Sequence, residues 1–377
     1  MAFASRPVRA ETALTAIGRL PSGAGTAQEV VEEIVRRAVH VIGADVFFAA
    51  AIDPHIGVCL GPGVHNLTPD ACAALGENEF LVPDYNKFAD LTPARPVGDL
   101  REATGGKLSR SARYRTLNEV AGLGEELRAA LPAGGRSWGT LALSRHRGGG
   151  PFTDEDRAFL ATAAPLAGAV LRRAILDEPH RSLPAHGPGI IVVNQAGEKL
   201  SATAEAEAWL QELAPGHTGS ASTGIRPELL LMPLIVSGPP GALPQRTRLR
   251  TPGGTWLVAH ASRLGDSGNL GIVIESAKAS EIAPVIIDAL GLTSREIQVA
   301  RLVARGNTTE EIAAALLVSQ HTVRGHLKAI FEKTGASTRG ELTFKLFAEH
   351  YHGPLTDAIY TPADHVAASV ALADETS

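Results

Sequence analysis

Apolar and polar positions along the chain follow patterns that predict three regions of different type. Over residues 1–176 they predict a helix, strands, an irregular middle, a further strand and a closing helix. Over residues 189–278 they predict two strands, an Ala-rich helix and three strands separated by the turns TPGG and GDSG. Residues 289–352 show four short helical patterns instead. The sequence therefore predicts a multidomain chain with two α+β domains followed by an all-α domain.

The first region contains a helix with a clear start. Thr26, a preferred N-cap residue, precedes apolar positions that recur with helical period from Val30 to Val41. Residues 46–52 and 138–143 are predicted strands, and the string FTDED at 152–156 begins a helix that runs to about residue 176. The strings WGTLALSR and FTDEDRAFLATAAPLAGAVL resemble the last strand and closing helix of a GAF domain. The resemblance implies a sensor fold.

The second region begins with the string GIIVVNQAGEKLSATAEAEAWL, which reads as strand, turn, strand and helix. Three strands are predicted after it, over residues 246–249, 255–262 and 270–275. This order of elements resembles that of a PAS domain. The resemblance implies a second sensor-type α+β fold.

Composition along the chain places the domain boundaries. Residues 177–188 (DEPHRSLPAHGP) contain three prolines and predict a linker, and a strand-like run changes to a helix near 279–284. Residues 353–377 contain acids without Lys or Arg, which is typical of a flexible acidic tail. The predicted parts are a GAF-like domain over 10–176, the linker over 177–188, a PAS-like domain over 189–278, a helical domain over 285–352 and the tail over 353–377.

The helical patterns of the C-terminal region have explicit start signals. Thr293 and Thr308 are each followed three residues later by a glutamate, the spacing of a capping box. The third helix starts at Ser319 and stops at Gly335, and a fourth covers about 338–348. Two residues separate the second helix from the third, which predicts a tight helix-turn-helix.

The third helix has two different faces. Val323, Leu327, Ile330 and Phe331 form an apolar stripe, and the opposite face carries His321, Arg324, Gly325, His326 and Lys328. Cationic side chains and imidazoles on an exposed helix suit phosphate oxygens and base edges in a DNA major groove. The pattern therefore predicts a recognition helix.

The string LTSREIQVARLVARGNTTEEIAAALLVSQHTVRGHLKAIFEKTGASTRGEL resembles the LuxR-type (GerE) helix-turn-helix of bacterial transcription regulators. The resemblance implies a four-helix domain that binds double-stranded DNA. Gly325 departs from the family, which usually has a side chain there. Candidate DNA-binding residues implied by the resemblance and by the helix caps are Thr308, Ser319, Thr322, Val323, Arg324, His326 and Lys328.

The family resemblance also implies a homodimer formed through the fourth helix. Leu342, Leu346 and Phe347 form an apolar stripe on that helix and are the predicted dimer interface. A dimer would place two recognition helices about 34 Å apart, one turn of DNA. A small-molecule effector and a contact with RNA polymerase are further partners expected of such a regulator.

The distribution of charge favours DNA binding for the C-terminal domain and not for the chain as a whole. The 377 residues have a formal net charge of −5, yet residues 289–352 carry five Arg and three Lys against six Glu. Only two cysteines occur, no uninterrupted apolar run has the length of a membrane span, and the N-terminus lacks a signal-peptide pattern. A cytoplasmic protein is expected.

Motifs of the common catalytic sites are missing from the sequence. It contains no GxxxxGK[ST], GxSxG or HExxH string and no receiver-type phosphorylation site, so no enzyme, catalytic residue, cofactor or metal site is predicted. Two alternatives stay open. One is a scaffold or ligand-binding protein with incidental DNA affinity, and the other is a sigma-like promoter-recognition protein.

Overall fold

The computed structural model describes residues 6–20, 26–61, 63–177, 186–194, 198–213, 231, 245–343 and 345. The chain divides into two compact units, which are described separately below. The first comprises Met1–Ala277 with Pro284–Gly291, and the second comprises Lys278–Ala283 with Leu292–Ser377.

The N-terminal half of the first unit is an α+β domain. Its helices are α1 Arg6–Gly18, α2 Ala27–Ile42, α3 Pro69–Leu81, α4 Leu100–Ala103 and α5 Asp154–Asp177. Its strands are β1 Val46–Ala51, β2 Val64–His65, β3 Val97–Asp99, β4 Leu123–Ala133 and β5 Arg136–His146. The strands form one antiparallel sheet in the order β2-β1-β5-β4-β3. A capping box of Thr26 and Glu29 begins α2, as the sequence predicts.

Helix α5 is the central helix of this domain and packs on α1, α2, β4 and β5. By length and hydropathy alone, Asp154–Leu176 could cross a membrane, but 56% of its most apolar stretch is buried inside the protein. The helix is therefore accounted for as part of a globular core. Pro165 lies inside this continuous helix, and because proline has no backbone N–H, one helical hydrogen bond is missing at this turn.

The second half of the first unit forms another antiparallel sheet. Its elements are β6 Gly189–Val193, β7 Lys199–Ala202, α6 Ala204–Leu213, β8 Gln245–Arg250, β9 Trp256–Arg263 and β10 Leu270–Ser276. The strand order is β7-β6-β10-β9-β8. Helix α6 buries Trp209 and Leu210 against Ile191, Leu257 and Ile272 of the sheet. The three predicted strands over 246–275 are confirmed as parts of β8, β9 and β10.

The two sheets have the same strand order. When the five strands of each sheet are numbered along the chain, their order across the sheet is 2-1-5-4-3 in both. They are also joined by hydrogen bonds. The backbone N–H of Arg250 donates to the Leu60 carbonyl at 2.6 Å, and its side chain donates to the Ile175 carbonyl at 2.7 Å. Arg248 pairs with the buried carboxylate of Asp53 at 2.7 Å. These bonds explain why both sheets belong to one compact unit.

A helical segment leads into the C-terminal unit. Helix α7 spans Ala279–Ala289, and its residues Val285, Ile286 and Ala289 are buried. The C-terminal helices are α8 Ser294–Ala304, α9 Thr309–Leu316, α10 Gln320–Thr334 and α11 Arg339–Thr343. The first three match the sequence prediction closely. Of the predicted fourth helix, residues 344 and 346–348 lie outside the described residues.

Candidate nucleic-acid interface

The helix ends of the C-terminal unit are fixed by their own side chains. Thr293 with Glu296 and Thr308 with Glu311 form complete capping boxes, and the Ser319 hydroxyl accepts a hydrogen bond from the Thr322 N–H. Each cap satisfies backbone N–H groups that would otherwise lack a partner at a helix start. The predicted N-cap positions of Thr308 and Ser319 are confirmed.

The turn between α9 and α10 is as short as the sequence predicts. Leu317 adopts a left-handed conformation with φ of 53°, and its N–H bonds back to the last turn of α9. Val318 donates from its N–H to the Ala313 carbonyl at 3.0 Å. Leu317 and Val318, together with the N-cap residue Ser319, therefore reverse the chain direction and set α10 against α9 as a helix-turn-helix.

One face of α10 is buried in the unit. Val323 and Ile330 are completely buried and Leu327 is nearly so, at positions i, i+4 and i+7 along the helix. Helix α10 packs with this face on α8 and α9. The apolar stripe fixes how the helix is rotated and which side chains face outward.

The outward face carries the polar side chains. His321, Arg324, Gly325 and Lys328 are all exposed and occupy positions i, i+3, i+4 and i+7, so they form one straight stripe. Among the described residues, Arg324 has no ion-pair partner, and Lys328 lies 3.9 Å from Glu332 at the surface, which is a weak interaction. His326 is half-buried beside the stripe. The stripe therefore presents the exposed cations of Arg324 and Lys328 to solvent.

Other cations of the unit are used internally. Arg339 donates to the Asn307 carbonyl at 2.6 Å and to the Thr309 hydroxyl at 2.7 Å, and Arg295 donates to the Leu316 carbonyl at 2.6 Å. Lys333 pairs with Glu296 at 2.7 Å. Burial raises the pKa of Glu296, but hydrogen bonds from Lys333 and Thr293 outweigh it and hold that pKa below its ordinary value. These residues hold the helices together, a role that sequence reasoning missed.

The C-terminal unit also matches a known family. Residues 290–346 fit the family model described as bacterial regulatory proteins, luxR family. The C-terminal module is a LuxR-family DNA-binding domain. Residues 26–171 fit the GAF domain model, so the first α+β domain is a GAF domain. The chain is therefore a DNA-binding transcriptional regulator with a LuxR-family output domain and a GAF domain.

Several solved structures resemble the chain weakly. SdiA in complex with octanoyl-rac-glycerol is 16% identical, with 94% of this chain and all of SdiA covered at a TM-score of 0.31. Escherichia coli SdiA alone is 14% identical, with 92% and 100% covered at a TM-score of 0.30. A phage VqmA–DPO complex is 22% identical, with 28% and 55% covered at a TM-score of 0.16. No curated protein matches the chain at a significant level.

Two residues predicted for contacts with partners lie in the core of the LuxR-family domain. Val323 was predicted to contact DNA, but its side chain is completely buried on the inner face of α10, so that prediction is wrong. Leu342 was predicted to form the dimer interface, but it is also completely buried in its own chain and cannot contact a partner there. Leu346 and Phe347 lie outside the described residues.

Gly325 lies in the middle of the exposed stripe with open space around it. A Cβ built at this position meets no atom within 4 Å. Since glycine costs more backbone entropy than alanine in a helix, Gly325→Ala is expected to raise the free energy of unfolding by about 0.5–1 kcal/mol. Denaturant unfolding followed by helical circular dichroism measures this change.

A matched control for Gly325 is Gly335, which ends the same helix with a φ of 64°. Alanine is strained in that conformation, so Gly335→Ala is expected to destabilise the domain. If Gly325→Ala also destabilises it, the space around Gly325 is not open as described.

The GAF domain contains a buried network of charged side chains. Arg113 is completely buried and donates to both carboxylate oxygens of Glu126, at 2.6 Å and 3.0 Å. The same guanidinium donates to the Asn78 side chain at 2.9 Å and to the Tyr85 carbonyl at 3.1 Å. Arg128, also completely buried, approaches Glu126 to 2.9 Å. This network joins α3, β4 and the short helical segment that begins at Arg113.

The buried carboxylate of Glu126 stays ionised. Burial raises its pKa, but the charges of Arg113 and Arg128 and hydrogen bonds from Arg113 and Asn118 outweigh burial and lower the pKa to about 2. The network is therefore an ion cluster at neutral pH. In the part of the chain that the structure describes, no three His, Cys, Asp or Glu side chains are grouped as a metal site requires.

Proposed function

We propose that the chain is a sequence-specific, one-component regulator that acts as a homodimer and reads DNA with α10. The observation that carries the proposal is the exposed polar stripe on α10, directly opposite its buried apolar stripe. A B-DNA major groove is wide enough for one α-helix. The stripe would face the bases when the helix lies in the groove.

The side chains of α10 and the N-termini of α9 and α10 would make different contacts with the DNA. Arg324 is proposed to read a base, since arginine can donate two hydrogen bonds to guanine, and Lys328 to contact a base or phosphate. Thr322 and His326 flank the stripe and are proposed to make further contacts. The N-termini of α9 and α10, at Thr308 and Ser319, would donate backbone N–H groups to phosphates.

The dimer is proposed on the basis of the family of the output domain. Leu346 and Phe347, which the sequence predicts to lie on the fourth helix, remain the candidate contact residues. A dimer with two-fold symmetry would bind two half-sites about one DNA turn apart, and its operator would then be an inverted repeat. Contact with RNA polymerase and a cytoplasmic location belong to the same proposal.

The domain limits are also proposals. We assign 10–176 to the GAF domain, 177–188 to a linker, 189–278 to a PAS-like domain, 285–352 to the LuxR-family domain and 353–377 to a tail. The PAS-like assignment is supported by the five-stranded antiparallel order of its sheet and by α6 packed on one face. The two sensor-type domains would respond to a small-molecule effector, and neither is assigned a catalytic activity or a cofactor.

One alternative function is disfavoured by the fold. A sigma-like protein would need a second helical region that melts promoter DNA, whereas the described residues before 277 build two antiparallel sheets. A scaffold with incidental DNA affinity is separated from a regulator by experiment, because incidental binding depends on salt but does not discriminate between sequences.

Selection of bound sequences from a random DNA pool by the full-length protein tests the proposed function. The expected result is enrichment of one inverted repeat whose half-sites lie about one helical turn apart. Enrichment of no motif, with salt-dependent binding to all sequences, would support the scaffold alternative.

A further inference from the structure

Two adjacent arginines of α5 lie at an open cleft on the GAF domain. The cleft has a volume of about 550 Å³ and is lined by Pro93, Pro132, Pro165, Ala169, Arg172 and Arg173, together with backbone of the β4–β5 turn. Its lining combines proline rings and an alanine methyl group with two guanidinium groups. Such a cleft suits a ligand that has both an apolar body and a negative charge.

The charges of these arginines are not balanced by the protein. Among the described residues, neither Arg172 nor Arg173 pairs with a carboxylate, and the Nε of Arg172 is buried without a hydrogen-bond acceptor. Burial and the charge of Arg173 together lower the pKa of Arg172. A buried donor without a partner is costly, and an anion that supplied an acceptor would remove this cost.

Arg172 also lies against Gly291, at the start of the segment assigned to the LuxR-family domain. A Cβ at Gly291 would lie 2.6 Å from Nη2 of Arg172, and a Cβ at Gly134 would lie 2.8 Å from Nη1. The guanidinium thus passes between two glycines, and only the absence of side chains there leaves it room. Gly291 is followed directly by Leu292, where the C-terminal unit continues.

The same turn of α7 is held to the GAF domain by charge. The carboxylate of Asp288 lies 2.5 Å from the Arg136 Nε and 3.0 Å from the His55 Nε2. The N–H of Gly291 donates to the Asp288 carbonyl at 3.0 Å. A shift of Arg172 toward a ligand would therefore change its contact with the turn that contains Gly291. This turn is anchored to the GAF domain through Asp288, and the chain continues from it into the C-terminal unit.

We propose that Arg172 and Arg173 bind a small organic anion, a carboxylate or phosphate ester with an apolar body, and that its occupancy changes the DNA affinity of the LuxR-family domain. Guanidinium groups bind both kinds of anion through paired hydrogen bonds. The effect on DNA affinity rests on the proposed function, and the anion site itself does not.

Calorimetric titration of the full-length protein with phenyl phosphate and with benzoate tests the site directly. Both probes are expected to bind, and phenol, which lacks the charge, is expected to bind far more weakly. Arg173→Gln removes an exposed cation of the cleft and is expected to weaken the binding of phenyl phosphate about ten- to a hundredfold. Arg36→Gln, an exposed cation on α2, is the matched control and is expected to leave binding unchanged.

A second variant imitates the bound state. Ala169→Glu places a carboxylate three and four residues before the two arginines, where it can pair with them along the helix. The variant is expected not to bind phenyl phosphate or benzoate. Its DNA affinity without a probe is expected to equal that of the wild-type protein with a probe bound. This variant does not depend on the loss of an arginine.

Three results would overturn the proposal. They are failure of both probes to bind, equal binding of phenol and phenyl phosphate, and binding that Arg173→Gln does not weaken. Anion binding without any change of DNA affinity would overturn the regulatory half. If the protein selects no DNA motif, the proposed function fails, but the calorimetric result still decides whether the anion site exists.

Discussion

Replacement of Arg113 by methionine is expected to lower the free energy of unfolding of the GAF domain by about 3–5 kcal/mol. Arg113 is completely buried, and its guanidinium is the main partner of the Glu126 carboxylate. Methionine fills similar space but leaves Glu126 as a buried charge that keeps only the cation of Arg128 and the hydrogen bond from Asn118 among the described residues. The loss of one partner of a buried ion pair costs much more than the loss of a surface pair.

Denaturant unfolding at neutral pH measures this loss, and Arg115→Met is its matched control. Arg115 lies two residues further along the same helical segment but is exposed, and its guanidinium donates to the Ser109 carbonyl at 2.6 Å. Its replacement is expected to change the free energy of unfolding by less than about 1 kcal/mol. Equal effects at the two positions would show that the buried network does not stabilise the domain.

Replacement of Arg324 by alanine is expected to have the largest effect on function. The loss of one good base contact costs about 1–3 kcal/mol, which corresponds to about five- to 150-fold weaker binding of the specific site. The exposed side chain makes no ion pair among the described residues, so the fold should tolerate its removal. The measurement is fluorescence anisotropy with the selected duplex and with a scrambled duplex at the same salt concentration.

The scrambled duplex shows which kind of contact Arg324 makes. If Arg324 reads a base, its loss is expected to weaken binding of the selected duplex only. If it contacts a phosphate, its loss is expected to weaken binding of both duplexes equally. Arg301→Ala, an exposed cation on α8, is the control and is expected to have little effect. Unchanged affinity of Arg324→Ala for both duplexes would contradict a reading role for the stripe.

The helix-turn-helix could be predicted from the sequence because its signals are local. Thr308 and Ser319 are caps in the sequence and in the structure, and the period of Leu327 and Ile330 gives the inner face of α10. The same period places Val323 inside. The family resemblance instead implies a DNA contact for Val323, and its complete burial agrees with the periodicity.

Strand β4 could not be predicted because charged residues interrupt its apolar pattern. Glu126 and Arg128 are buried in the strand, where they are neutralised by each other and by residues distant in sequence, such as Arg113 and Glu79. A pattern of alternating charges indicates a solvent-exposed segment unless these partners are known. The anion cleft was missed for a similar reason, since Arg172 meets Gly134 and Gly291 only in the folded chain.

Photo-crosslinking from α10 to bound DNA tests the central claim most directly. p-Azidophenylalanine at position 321 or 325 would project from the exposed stripe, and at position 301 it would project from α8. With the selected duplex, crosslinks to bases are expected from 321 and 325 but not from 301. Crosslinks from 301 alone, or none from the stripe while the protein remains bound, would contradict recognition by α10.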